Sequence, residues 1–167
     1  MNFLQTKLNE MKKRKEEGNK GFSLVELIIV IAIMAILVGI VGTQVIPYIN
    51  KSKESKDYQI INSYSTAATT AYGTFAEKVG STDTEVNVYK VDYTTSPQKE
   101  LQAEIKKLTG YDQLSDLTGK MKSKTGGTIK GIKISFNVST KKIITQAYSD
   151  EACTTGKEVF EAVEAEL

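Results

Sequence analysis

Two features near the start of the chain have residue types and spacings that could do chemistry. Glu26 stands one residue before Leu27–Gly42, a run that is apolar or glycine throughout, and no formal charge recurs until Lys51. A lone carboxylate entering hydrocarbon costs on the order of 2.5 kcal/mol at a helix centre and somewhat less near its end. Such a residue asks for a partner. Gly21-Phe22 is the second feature, lying where a polar, lysine-rich segment meets the hydrophobic block. The passage reads Lys20-Gly21-Phe22-Ser23-Leu24-Val25-Glu26-Leu27-Ile28-Ile29-Val30-Ile31-Ala32.

Other chemistries have little support. The sequence has no His and one cysteine, Cys153, so imidazole or thiolate metal sites lack ligands and a serine or cysteine nucleophile lacks a histidine base. Asp112 and Asp116 could share a helical face, but without an EF-hand pattern such acids are usually solvated. A phosphate-binding loop fails at both Gly-Lys pairs: neither Gly119-Lys120-Met121 nor Gly156-Lys157-Glu158 is followed by Ser or Thr, and Leu114 and Glu151 occupy the first-glycine positions. Lys120–Lys142 holds seven lysines and no acid, with Phe136 as its one aromatic. That favours a solvated or subunit-facing charged surface over a nucleic-acid site. No cofactor, metal or catalytic residue is expected, and no specific nucleic-acid partner.

The elements that must position Glu26 follow from the same run. At about 1.5 Å per residue, about 20 apolar residues cross a bilayer as a helix. The run is long for a secretory signal and lacks a small-x-small cleavage site after it, where Val45-Ile46-Pro47-Tyr48 stands instead. A plain single-span anchor is the simplest reading of the run alone. The six basic residues of positions 1–21 (Lys7, Lys12, Lys13, Arg14, Lys15, Lys20) outnumber three acids, whereas the remainder has sixteen lysines against seventeen acids. A basic flank of this kind holds an N-terminus on the cytoplasmic side.

Residues Lys20–Val41 resemble the class III prepilin signal of type IV pilins and pseudopilins. The resemblance implies cleavage between Gly21 and Phe22 by a prepilin peptidase, N-methylation of Phe22 and retention of the hydrophobic block. It makes Glu26 the fifth mature residue, the position whose carboxylate guides assembly in that family. The family's frequent proline would fall at Thr43, and here the nearest is Pro47. The leader is also longer than in the best-known Phe-starting pilins. Many pilins close a C-terminal loop with a disulfide, which Cys153 alone cannot form, and this is the pattern of Gram-positive pilins.

Assembly chemistry accounts for these residue types. Leu, Ile and Val fit lipid and a helix bundle equally well and supply little register. A buried charge supplies register, because an unpaired one disfavours misaligned arrangements. After cleavage the Phe22 amine would be a cation near the helix end, and Glu26 is the acid able to meet it. Ala32, Ala35, Gly39 and Gly42 form a small-residue stripe for close helix approach. Gly39, Gly42 and Pro47 also weaken the helix, by about 1 kcal/mol per glycine and about 3 for proline.

The fold class expected is α+β: a long helix from about Ser23 to Phe75, kinked near Pro47, against a small antiparallel sheet. Ile61, Tyr64, Ala68, Tyr72, Phe75 and Val79 recur every three or four residues as its buried stripe. Residues 86–93 read as a strand. Ser96-Pro97 starts a helix with Leu101, Ile105 and Leu108 on one side and Gly110 as its stop. Ile132–Val138 and Ile143–Tyr148 form a hairpin around Ser139–Lys142. For Glu158–Leu167 a short helix is preferred to an edge strand.

The resulting domain division is 1–21 as a cleaved leader, 22–50 as the transmembrane and polymerisation helix, and 51–167 as the head. The expected function is a structural subunit of a type IV pilus, for adhesion, aggregation or surface motility. The alternative is a pseudopilin of a type II secretion or DNA-uptake system. Partners would be further copies of the chain, other pilins, the prepilin peptidase, the assembly platform and the cytoplasmic membrane, with the assembled form on the cell surface.

Overall fold

The structure is a computed structural model that describes residues 2–18, 21, 23–90 and 93–167. The chain divides into two units, residues 1–47 and 48–167. The first contains α1 (Asn2–Gly18) and α2 (Leu24–Ile40). No residue of α2 is buried, and apart from Glu26 the helix is apolar or glycine on every face. Helical backbone continues from Leu24 to Val79, through a widened stretch at Val41–Val45 and then α3 (Ile46–Val79).

The widened stretch has a local cause. Pro47 lacks an N–H, and its ring would clash with the carbonyl of residue i−4, which is Thr43. Val41–Val45 accordingly adopts π-helical bonding, with the Ile46 N–H donating to the Val41 carbonyl. The dihedrals remain helical, at φ −64°, ψ −45° for Ile40 and φ −63°, ψ −47° for Ile46. The kink expected near Pro47 is thus an insertion in the hydrogen-bond ladder, and the departure from helical dihedrals lies at Phe75 (φ −118°, ψ 20°).

In the second unit, α3 supplies one wall of the core. Ile61, Tyr64, Ala67, Ala68, Ala71 and Val79 are buried, and Tyr72 and Phe75 pack against the cluster half-buried. The facing layer is a four-stranded antiparallel sheet in the order β1 (Thr84–Asn87), β2 (Gly131–Asn137), β3 (Lys142–Tyr148), β4 (Val163–Glu166). The hairpin register pairs Ile132 with Ala147, Ile134 with Thr145 and Phe136 with Ile143. One face thereby buries Ile132, Ile134, Phe136 and Ile143, and Tyr72 stacks on Phe136 with ring centroids 6.1 Å apart. Between β1 and β2 lie α4 (Gln98–Thr109), which contributes buried Leu101 and Ile105, and α5 (Leu114–Thr118), which contributes Leu117.

Three sequence expectations change. The strand placed at residues 86–93 runs instead from Thr84 to Asn87. The Asn87 side-chain oxygen accepts from the Tyr89 and Lys90 N–H groups at 3.4 and 3.2 Å and turns the chain, as Asn does when it offers the backbone a local partner; Val91 and Asp92 lie outside the described residues. The helix preferred for Glu158–Leu167 is an edge strand, with Ile143 opposite Ala165 and Thr145 opposite Val163. Leu108, placed on the buried side of α4, is 44% exposed. Gly110 ends α4 as expected, in the left-handed region at φ 74°, where glycine carries no Cβ penalty.

Candidate processing and assembly site

Ser23 caps the N-terminus of α2 in extended backbone, at φ −66°, ψ 152°. Its hydroxyl accepts from the Glu26 N–H at 3.2 Å, while a Glu26 carboxylate oxygen accepts from the Ser23 N–H at 2.7 Å. This reciprocal capping box satisfies two N–H groups that a helix start otherwise leaves unpaired. A carboxylate there also faces the positive end of the helix dipole. Glu26 thus has a backbone partner one residue beyond the Gly21-Phe22 junction.

Sequence reasoning placed Glu26 but passed over Ser23. The signal was present: Ser followed three residues later by Glu, immediately before an apolar run, is the capping-box pattern. Phe22 lies outside the described residues, and the described part of the site consists of Gly21, Ser23 and Glu26. A Cβ at Gly21 would meet nothing within 4 Å, and the same holds at Gly39 and Gly42. Nothing among the described residues therefore requires glycine at these three positions.

Gly39, Gly42 and Pro47 flank or occupy the widened stretch. The Thr43 hydroxyl donates to the Gly39 carbonyl at 2.9 Å and supplies a side-chain donor where the backbone ladder is irregular. Among the described residues, no group of three or more acids, cysteines or histidines could hold a metal ion. Asp116, weighed above with Asp112, instead caps α5 by accepting from the Gln113 N–H at 3.0 Å.

The second unit has its own buried polar site. Asp57 has no exposed surface. Its carboxylate accepts from the Lys122 N–H at 2.8 Å, the Ser123 N–H at 2.8 Å and the Ser123 hydroxyl. A Cβ added to Gly126 would sit 2.3 Å from an Asp57 oxygen. Asp57 precedes Ile61 by one helical turn and belongs to the buried stripe. That spacing was available in the sequence, but an acid at its head reads as the start of the polar side.

Residues 18–42 match the family model described as the prokaryotic N-terminal methylation motif. No curated protein and no solved structure matches the chain.

Proposed function

We propose, from the premise that residues 18–42 are the class III signal peptide of type IV pilin-like proteins, that this protein is a structural pilin. In this reading it is cleaved between Gly21 and Phe22, methylated on Phe22 and polymerised into a surface filament. The motif by itself indicates a type IV pilin-like or pseudopilin precursor. The observation that carries the structural reading is α2: a helix with no buried residue whose one charge is Glu26, already seated at its N-terminus. Such a helix finds its surroundings in lipid or among copies of itself.

Cleavage after Gly21 would remove the basic leader and place a new ammonium beside the Glu26 carboxylate. In a growing filament that carboxylate meets the amine of Phe22 and sets the register of an otherwise uniform apolar surface. The division into a leader (1–21), a polymerisation helix (22–50) and a head (51–167) belongs to this proposal, as do packing roles for Gly39, Gly42 and Pro47. So do the prepilin peptidase and assembly platform as partners, and adhesion or surface motility as the use.

Mass spectrometry of the mature N-terminus, combined with filament counts on cells, tests the reading. N-methyl-Phe22 at the terminus and abundant filaments are expected for a major pilin. Scarce filaments with secretion or DNA uptake abolished on deletion would assign a pseudopilin. Glu26→Gln keeps volume and removes charge, so that variant should enter the membrane, be processed and yield no filaments when expressed alone. Filaments at the unaltered level would remove Glu26 from its register role.

A further inference from the structure

Lys51, Lys53 and Lys56 open the charged part of α3, within two helical turns after Asn50, interleaved with Glu54 and Asp57. By sequence this flank is close to balanced, three ammoniums against two carboxylates. The fold unbalances it. Asp57 is fully buried and its oxygens are occupied by the N–H groups of Lys122 and Ser123 and by the Ser123 hydroxyl. The loop so tied places Lys122 and Lys124 around one groove with Lys53 and Glu54. Glu54 accepts from the Thr125 hydroxyl at 2.6 Å. All five lysines are exposed. At about 100° per residue, Lys53 and Lys56 lie within about 60° of each other on α3, Lys51 lies on the opposite side, and the loop lysines flank Lys53 on the side of Asp57. The result is a partial basic collar, densest on the Asp57 side of the helix, beyond the uncharged stretch that ends at Asn50.

A cluster of lysines is ordinarily a solvated surface. Two observations here point further. Desolvating a carboxylate is costly and is offset only by good hydrogen bonds, yet Asp57 is buried to hold a loop whose exposed side chains are lysines. With the apolar segment seated in a membrane, the collar would fall near the lipid headgroups, preceded by one helical turn by Tyr48, which is 75% exposed, an aromatic type enriched at that depth. We propose that the collar binds the anionic phosphates of lipid headgroups on the side of the membrane from which the head emerges. Attraction between juxtamembrane lysines and anionic lipid falls off within a Debye length, so the five side chains act together only if the loop is held against α3. Asp57 is then a positioning residue for lipid contact as well as a part of the fold. This inference rests on the proposed membrane seating of the apolar segment.

The test uses the full chain in lipid nanodiscs of phosphatidylcholine, with or without phosphatidylglycerol. Amine acylation is followed residue by residue by mass spectrometry, with exposed Lys99 and Lys157 as controls. Lys53, Lys122 and Lys124 should be acylated several-fold more slowly in anionic discs, and the controls equally in both. The difference should vanish near 1 M salt, where the screening length is about 3 Å. Asp57→Asn should lose the protection at Lys122 and Lys124 while Lys53 keeps its own. Should that variant not fold, Lys122→Gln with Lys124→Gln leaves the Asp57 bonds in place and should weaken protection at Lys53. Equal rates in the two lipids would overturn the proposal. So would protection that requires two copies per disc whatever the lipid, which would assign the collar to a second copy's acidic surface. A chain that fails to co-elute with discs of either composition sinks the membrane seating itself, and the collar's role with it.

Discussion

Asp57 and Gly126 form a matched pair, and each explains the other's residue type. The carboxylate fills the space that a side chain at 126 would need, and its hydrogen bonds fix the loop that brings Gly126 there. Asp57→Ala leaves the N–H groups of Lys122 and Ser123 without their acceptor, at about 1–3 kcal/mol for each buried donor. Gly126→Ala forces its Cβ against the carboxylate and should also destabilise, by about 1–3 kcal/mol. The two are coupled: with Asp57 shortened, the added methyl has room. The urea midpoint of the double variant in detergent should therefore lie well above the additive expectation. Strict additivity would show that the 2.3 Å approach is relieved elsewhere. Cys153 offers a second test at this scale. Burial, and after it the nearby Asp150 carboxylate, pushes its thiol from an ordinary value near 9 up to about 11. Its folded value is raised, so the stability tied to the protonated thiol is complete below about pH 9 and fades as pH rises toward 11. The urea midpoint should fall across that window, and Cys153→Ala should flatten the fall. An identical pH profile in the variant would exclude the thiol as its source.

At the level of elements, legibility tracked whether one periodicity dominated. The stripe on α3 has a single period: of the residues it identifies, Ile61, Tyr64, Ala68 and Val79 are buried and Tyr72 and Phe75 half-buried, while the buried Asp57, Ser65, Ala67 and Ala71 fall outside it. The hairpin was equally clear, since Ile132, Ile134 and Phe136 alternate with Lys133 and Ser135. The tail satisfied two periods at once. Val159, Val163 and Leu167 recur every four residues as on a helix, while Val163, Ala165 and Leu167 alternate as on a strand. Alanine and glutamate tilt the local preference toward helix. The decision came from a distant part of the chain: β3 has a free row of backbone groups, and a strand laid along it satisfies them. The capping box and the Asp57 anchor were missed differently. Ser23–Glu26 is a local pattern that could have been found, whereas the partners of Asp57 are 65 and 66 residues away in sequence, and no local pattern reports them. Since residues 48–167 carry their own core, a chain beginning at Tyr48 should be soluble and unfold cooperatively, with the same midpoint with and without reducing agent. A molten circular dichroism profile, or unfolding on reduction, would contradict a head that stands alone.

At the scale of the whole molecule the question is what the separated charges do. Lys120–Lys142 is basic and Asp150–Leu167 acidic in sequence, which suggests that acidic tails meet basic hairpins of neighbouring subunits. Within one chain part of this complementarity is already used. Lys142 and Glu164 pair across β3 and β4 at 2.7 Å, and the Glu164 carboxylate raises the Lys142 ammonium above its usual range. Lys133 reaches Glu85 at 3.9 Å and lies over the Tyr148 ring. Lys130 and Lys141 on the hairpin, and Glu161 and Glu166 on the tail, remain exposed. One exposed pair contributes only about 0–1 kcal/mol, but a filament repeats the same two faces at every subunit, so a head-to-tail contact recurs along its length. Such contacts are screened over about 8 Å at physiological salt, whereas an apolar helix bundle is not weakened by screening. Protease cleavage of heads in assembled filaments should therefore rise with salt while the filaments stay intact. Glu161→Gln should raise cleavage in the same way at low salt. Glu164→Gln should act through the monomer instead, lowering the stability of the isolated head as well, because its partner is Lys142 of the same chain. Cleavage that ignores both salt and the Glu161 substitution would leave the charge separation as solvated surface, and the head layer held by apolar contacts alone.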